Sequence, residues 1–295
     1  MLNRLPYWFR QNYRDLSLVK EMVLFFKDLK INTVCENARC PNIGRCFKEN
    51  SFTFMILGDT CTRNCSFCAV KKRNSNLELD LLEPLRIAKT VSLLNLDYVV
   101  ITSVTRDDLP DGGIDVFIKT VEAIRHTSPQ TIIELLVPDF KGNFESLKRL
   151  IRVKPSIIGH NLETVPRLYR EVRPQASYEK SLELLKRIKK LEDQIYTKSS
   201  LMLGLGEEKD EVLDVMEDLI KVGCDILVLG QYLAPSKRHL SVKRFIQIEE
   251  FEELRETGLS LGFKAISSGP LVRSSYQARK IYSELITSQD FVFHK

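Results

Sequence analysis

The chain has 295 residues, 43% of them hydrophobic and 28% charged, with a net charge of +5. A chain of this size buries a core without disulfide staples, and this composition excludes a mainly disordered, collagen-like or coiled-coil architecture. No apolar run approaches the roughly 18 residues of a membrane span, and the N-terminal stretch MLNRLPYWFRQNYRDL lacks the apolar segment of a secretory signal, so the cytoplasm is the expected location.

Taken in chain order, the N-terminal arm carries the only tryptophan, Trp8, expected to anchor the arm or meet a partner. Residues 51–57 form a β-rich apolar run leading into a cysteine cluster. Residues 84–96 predict a helix with Pro84 near its start. The β-branched run at 98–103 predicts a buried parallel strand. There follow a helix over 114–126, a strand over 131–137, a helix over 143–153 and a short strand over 156–159. A long helix is expected over 178–191, a strand over 197–203, a helix over 207–222, a strand over 225–230 and a helix over 248–261 stopped by Gly262. Residues 264–267 fit one last strand. Six strand-then-helix units in a row predict parallel strands with right-handed crossovers, an α/β fold built as an incomplete (β/α)6 barrel of the TIM type. The expected division is an N-terminal extension over 1–50, the barrel over 51–261 and a C-terminal extension over 262–295, the extensions covering the barrel mouth.

Seven cysteines are the informative feature, and six of them, Cys35, Cys40, Cys46, Cys61, Cys65 and Cys68, fall between residues 35 and 68. They divide into C-x4-C-x5-C, in CENARCPNIGRC, and C-x3-C-x2-C, in CTRNCSFC. A disulfide framework suits small secreted domains, and zinc sites usually show two close pairs or added histidines; His126, His160, His239 and His294 are not spaced as ligands. Iron–sulfur clusters are held by several thiolates in a short loop. Two triads therefore predict two four-iron clusters with three protein thiolates each. Three thiolates leave one iron of a cube without a protein sulfur, and an open position suits chemistry better than electron storage. The seventh cysteine, Cys224, reads as a buried structural residue.

CTRNCSFC, with Phe67 before its last cysteine, resembles the signature of the radical S-adenosylmethionine superfamily. With CENARCPNIGRC upstream, and with TSVTRDDLPDGG at 102–113, PDFKGN at 138–143, GHNLETVPRLYREVRP at 159–174, LMLGLGEE at 201–208, GQYLAPS at 230–236 and RSSY at 273–276, the chain resembles the lipoyl synthase family. The resemblance implies the same open (β/α)6 barrel. It implies that Cys61, Cys65 and Cys68 bind a 4Fe–4S cluster that cleaves S-adenosylmethionine, giving a radical that removes hydrogen at C6 and C8 of a protein-bound octanoyl chain. Cys35, Cys40 and Cys46 would hold an auxiliary 4Fe–4S cluster consumed as the sulfur source, with Ser275 of RSSY as a ligand able to leave, since an alkoxide suits iron–sulfur binding less than a thiolate. Implied partners are octanoylated lipoyl carrier domains (the glycine cleavage H protein and 2-oxo acid dehydrogenase E2 subunits), a ferredoxin or flavodoxin electron donor and an iron–sulfur cluster carrier, with neither nucleic acid nor membrane.

Further candidates carry plainer alternatives. Asn161 and Glu163 could meet ribose hydroxyls, or Asn161 could cap a helix. Thr102 and Ser103 could hold the methionine amine, or make ordinary strand-end hydrogen bonds. Arg173 could pair with the methionine carboxylate through its planar fork, or form a surface ion pair. Gly204 and Gly206 would let backbone approach adenine, or form a plain turn. Asp107, Asp108 and Asp111 fit turn chemistry better than a metal loop. The basic clusters Lys71–Lys72–Arg73 and Arg187, Lys189, Lys190 read as solvated faces, with docking to an acidic protein as the alternative. The chain departs from the family pattern at Phe47, Gln175 and Ser241, where tryptophan, glycine and proline are usual. Competing functions are a biotin-synthase-like enzyme, disfavoured by the first triad with RSSY; a non-catalytic cluster carrier; and a zinc-stabilised nucleic-acid module, disfavoured by the lack of a basic stripe.

Overall fold

The computed structural model describes residues 5–9, 16–73 and 78–290, with side chains to 287. Four elements precede the repeat: α1 (Leu16–Asp28), β1 (Asn32–Thr33), α2 (Val34–Asn37) and α3 (Ile43–Lys48). β2 (Thr53–Ile56) opens the repeat, and β3 (Thr60–Cys61) pairs with β4 (Lys71–Lys72) in a small separate ladder. Then come α4 (Glu83–Leu93), β5 (Tyr98–Ser103), α5 (Ile114–Thr127), β6 (Ile132–Leu136), α6 (Phe144–Arg152) and β7 (Ile157–Gly159). The second half holds α7 (Tyr169–Val172), α8 (Tyr178–Leu191), β8 (Tyr196–Leu203), α9 (Lys209–Lys221), β9 (Ile226–Gln231), α10 (Ile248–Leu261), β10 (Ala265–Gly269) and α11 (Ala278–Asp290).

The sheet runs β1-β2-β5-β6-β7-β8-β9-β10, with β1 antiparallel on β2 and every later pair parallel. Strands in chain order, each returned by a helix on the outside, make the open (β/α)6 barrel, and β10 adds a further parallel strand beyond residue 261. The helices expected over 178–191 and 248–261 match α8 and α10 at both ends: α8 begins after Ser177, whose hydroxyl accepts from the Lys180 amide, and α10 ends at the expected Gly262, which sits left-handed at φ 112°.

One face of each strand packs on the helices. Ile101, Ile133 and Leu135 meet Phe117, Val121 and Ile124 of α5, and Leu227 and Leu229 meet Met216 and Leu219 of α9. The other face, one residue out of step, is more polar: Lys198 of β8 donates to Glu134 of β6 at 2.8 Å, with both side chains 2% exposed, and Tyr98 of β5 donates to the same carboxylate at 2.5 Å. The strand starts at Tyr98, Ile157, Tyr196, Ile226 and Ala265 pack against Ile281, Tyr282 and Leu285 of α11. That helix closes the N-terminal end of the barrel, opposite the cysteines. On the N-terminal flank, Phe26 of α1, Phe47 of α3, Phe52 and Phe54 form one ring cluster, with Phe47 5.2 Å from Phe52. A phenylalanine at 47 is therefore a packing residue. Trp8 lies between Tyr7 and Phe9, and Phe9 packs on Phe245 at 5.5 Å, which fastens the arm near the far end of the repeat.

Candidate iron–sulfur and cofactor site

The second triad sits just past the C-terminal end of β2. Leu57 and Gly58 turn left-handed there, and their amides donate to the buried Glu83 carboxylate at the start of α4, at 2.7 and 3.3 Å. The chain then enters CTRNCSFC. Amides of Arg63 and Thr105 donate to the Cys61 sulfur at 3.4 and 3.3 Å, so the loop after β5 supports that thiol. Arg63 is 6% exposed and fully engaged: Nε and Nη2 meet Asp107, and Nη1 and Nη2 meet Asp139, at 2.6–3.0 Å. Three separate strings, CTRNC, TSVTRDD and PDFKGN, are thus joined at one guanidinium. Burial pushes the Asp139 carboxyl up, but the Arg63 hydrogen bonds outweigh it and bring it down to about 2. Asp111 does turn work: its carboxylate accepts from the Gly113 and Asp115 amides at the head of α5.

The outer strand of the cysteine turn is stitched to its neighbours. Ser66 N donates to the Val172 carbonyl at 3.0 Å, and its Oγ to the Glu171 carbonyl at 2.7 Å. The Gln175 side chain accepts from the Asn64 amide at 2.6 Å, which gives the departure at 175 a role in holding the turn. His239, oriented by Ser236, reaches the Cys68 carbonyl at 3.2 Å. Phe67 packs against the second-half core beside Leu240.

Behind the turn lies a cluster of buried polar side chains. Arg173 is 8% exposed, which overturns the surface-ion-pair alternative. Its Nη1 donates to the Asn161 and Leu162 carbonyls at 2.8 and 3.0 Å, its plane faces the Tyr169 ring at 5.5 Å, and its buried Nε has no partner. Glu163 stands at φ 69° and accepts from Asn161 Nδ2 at 3.0 Å; burial pushes its carboxyl up, while Arg173 draws it down. Asn161 does not cap a helix, because the turn that follows begins at Pro166 with Val165 before it. Its buried Oδ1, like Ser103 Oγ, has no partner. Burial pushes up the Cys65 thiol, and of the charged neighbours Arg173 opposes this most; Cys68, pushed up to about 11 by burial, is coupled to Cys65, Cys61 and Glu163. The unpartnered donor and acceptors, beside three thiols of which two are coupled to Glu163, suit a polar zwitterion with a hydroxylated sugar.

Two candidates have other occupations. Thr102 donates to the Leu136 carbonyl at 2.8 Å, a strand-end bond. The Gly204 amide is taken by the Glu207 carboxylate, which also accepts from Leu205 and Gly206. Gly204 sits at φ +98°, and a Cβ there would stand 2.1 Å from Gln231 Nε2 and 2.5 Å from the Arg244 carbonyl.

The first triad lies on the other flank, and residues far along the chain come to it. Asn42 donates to the Leu271 carbonyl at 2.6 Å, and Thr53 donates to Ser275 Oγ at 2.8 Å. Thr53 is also a hydrogen-bond neighbour of Cys35, whose thiol burial pushes up to about 11. Burial pushes Cys46 up to about 12, with Cys35 and Cys40 adding to the rise, and Cys40 faces Arg273. Arg45 lies 5.6 Å over the Tyr276 ring. RSSY is therefore folded against CENARCPNIGRC. All six thiols are free of disulfides and, apart from Cys35, partly accessible. Soft sulfurs grouped in this way are the donor chemistry that a cationic iron–sulfur cube takes up, drawing off their protons as it binds. Thr53 was not singled out by the sequence; a threonine in a β-rich run carries no signal. Cys224 is buried, its sulfur 3.4 Å from the Ile226 carbonyl, as expected of a structural residue.

The Radical SAM superfamily profile matches residues 55–219. The lipoyl synthase of Caldicellulosiruptor saccharolyticus is 50% identical over 280 residues, covering 95% of this chain and 98% of that one. The chain belongs to the lipoyl synthase family. The family's member from Caldanaerobacter subterraneus subsp. tengcongensis is 49% identical over 278 residues, covering 94% and 97% of the two chains. Among solved structures, Streptococcus suis SuiB bound to precursor peptide SuiA superposes with a TM-score of 0.55 at 12% identity, over 79% of this chain and 53% of that one. SuiB bound to S-adenosylmethionine gives 0.53 at 12% identity, over 82% and 57%. These two likenesses establish the barrel fold. As a lipoyl synthase within the Radical SAM superfamily, the chain is an enzyme that takes a 4Fe–4S cluster and S-adenosylmethionine.

Proposed function

We propose that the chain inserts two sulfur atoms at C6 and C8 of an octanoyl group held on a lysine of a lipoyl carrier domain. The observation that carries this reading is the pairing of each cysteine triad with its own surroundings: RSSY against Cys35, Cys40 and Cys46, and the Arg173–Glu163–Asn161 cluster behind Cys61, Cys65 and Cys68. When bound, the cofactors supply reductive cleavage of S-adenosylmethionine at one 4Fe–4S cluster, and sulfur from a second, auxiliary one. The protein's part is to hold and orient. Cys61, Cys65 and Cys68 would hold the first cluster. Arg173 Nε takes the methionine carboxylate, and Asn161 Oδ1, Glu163 and Ser103 Oγ accept from the amine and the ribose hydroxyls. Cys35, Cys40 and Cys46 would hold the auxiliary cluster, with Ser275 as the further ligand able to leave. Octanoylated H protein and E2 domains are the substrates, a ferredoxin or flavodoxin the electron donor, and a cluster-carrying protein the source of repair. A cytoplasmic setting, where thiols stay reduced, suits six free cysteines.

The deciding experiment is mass spectrometry of an octanoyl-lysine peptide after anaerobic incubation of the reconstituted enzyme with dithionite and S-adenosylmethionine. If the reading holds the peptide gains two sulfurs, with no net loss of hydrogen in the dithiol and a loss of two hydrogens in its oxidised disulfide form; an unaltered peptide with cofactor cleaved overturns it. Cys65→Ala abolishes 5′-deoxyadenosine formation. Cys40→Ala and Ser275→Ala keep that formation and lose the lipoyl product, and catalytic lipoyl formation by Cys40→Ala rules out the sulfur-donor role.

A further inference from the structure

A basic rim lies on the outer side of the Cys65–Cys68 turn, and the reaction just described leaves it unused. A cleft of about 540 Å³ opens there, lined by Asn64, Ser66, Cys68, Lys72, Arg238 and His239 among others. Lys71 and Arg73 flank Lys72, Lys237 flanks Arg238, and all five cations are exposed. Lys71 is paired with Asp59; among the described residues no carboxylate pairs with Lys72, Arg73, Lys237 or Arg238. The cleft reaches the cysteines themselves. Cys68 is part of its wall, His239 contacts the Cys68 carbonyl at 3.2 Å, and Lys72 Nζ donates to the Cys65 carbonyl at 3.0 Å. Ser66 is bonded through its backbone to Val172 on one side and Leu240 on the other. Those bonds tie the turn to its neighbours on both sides, and an electron needs no opening between them.

Resting on the function proposed above, we infer that this rim is the docking surface of the electron donor, a small acidic one-electron carrier protein such as reduced flavodoxin. Each cleavage of S-adenosylmethionine takes one electron from outside the chain. It leaves the donor's reduced flavin, which is oxidised by one electron, and it is spent on the sulfonium carbon–sulfur bond, giving methionine and the 5′-deoxyadenosyl radical. Unpaired cations around the wall nearest Cys65 and Cys68, which would hold the electron-accepting cluster, favour an acidic partner through charge complementarity, which raises encounter rates and weakens with salt.

The test compares the holoenzyme with a Lys237→Glu/Arg238→Glu variant, and with Arg187→Glu/Lys190→Glu on α8 as a charge-matched control. Binding of a bacterial flavodoxin is measured by calorimetry, and 5′-deoxyadenosine formation is driven either by reduced flavodoxin or by dithionite. The rim variant is expected to bind flavodoxin about tenfold or more weakly at low salt and to lose flavodoxin-driven cleavage in proportion, with dithionite-driven cleavage within about twofold of the parent and the control unchanged. Unchanged flavodoxin binding in the rim variant overturns the inference. So does a rim variant whose only defect, under dithionite, is a raised KM for the octanoyl carrier domain or for S-adenosylmethionine, since the surface would then serve substrate. Failure of the parent enzyme to cleave S-adenosylmethionine with dithionite would instead overturn the proposed function, and calorimetric binding of flavodoxin would still judge the surface.

Discussion

Arg63 and His160 are the residues whose chemistry is most exposed to test. Arg63 bridges two carboxylates from different loops, so Arg63→Gln leaves Asp107 and Asp139 facing each other without that cation. Removing one partner of a buried pair costs about 3–5 kcal/mol, to be read from urea unfolding of the apoprotein. Arg63→Lys keeps the charge but not the fork, and restores only part of that stability. His160 is 2% exposed, with Nδ1 2.8 Å from the Val137 carbonyl and Nε2 2.9 Å from Ser181 Oγ. Burial holds its pKa down to about 4, with Arg173 adding to the fall. The folded state thus resists a proton that the unfolded chain accepts near 6.5. Its contribution is complete above that pH and is lost as pH falls from about 6.5 to about 4, with a total of roughly 2–4 kcal/mol. Asp139 acts in a lower window. Its depressed pKa adds stability above about 4 that disappears as pH falls to about 2. His160→Gln should flatten the upper slope and spare the lower one in unfolding midpoints measured from pH 3 to 8; a slope unchanged between 4 and 6.5 would assign the effect to other groups.

The strand ends decide what the loops can do. Gly230, at the C-terminal end of β9, leaves room for the Val272 carbonyl, which a Cβ would approach to 2.1 Å. Gly230→Ala therefore pushes the 271–276 segment away from the barrel while leaving the CTRNCSFC turn in place. After anaerobic reconstitution, the variant is expected to hold about half the parent's iron and to keep cofactor cleavage; full iron retention would mean that RSSY does not support the first triad. The loop from β8 to α9 is set differently. Glu207 accepts from three consecutive amides, so Glu207→Ala leaves buried donors unpaired, at a cost of about 1–3 kcal/mol measured as lost unfolding free energy.

Over the whole molecule, the barrel is finished by segments from its two termini. α11 plugs the N-terminal end through Ile281 and Leu285, 6% and 2% exposed. Leu285→Ala should cost about 2–5 kcal/mol by leaving a cavity, with both cysteine triads, at the opposite end, still able to load iron. Loss of iron together with stability would mean that the two ends of the barrel are coupled. No helix among the described residues is long and apolar enough to cross a membrane.

The sequence by itself determined the repeat and its ends. Period and stop signals are local, so α8 was legible from its pattern and α10 from its pattern and Gly262, and the spacing in CTRNCSFC pointed to the Radical SAM superfamily before any fold was known. Elements of the termini, α1 to α3 and α11, were not legible, since their apolar faces have meaning only against the barrel they cover. β10 was visible as a short run at 264–267, yet its place in the parallel sheet depends on β9. Tertiary structure alone decided that Ser275 meets Thr53 across 222 residues, that one guanidinium ties three motifs, and that Arg173 is buried rather than on the surface. The physical reason is the same in each case. A hydrogen bond or a burial belongs to whatever the fold brings within about 3 Å, and separation along the chain carries no trace of it.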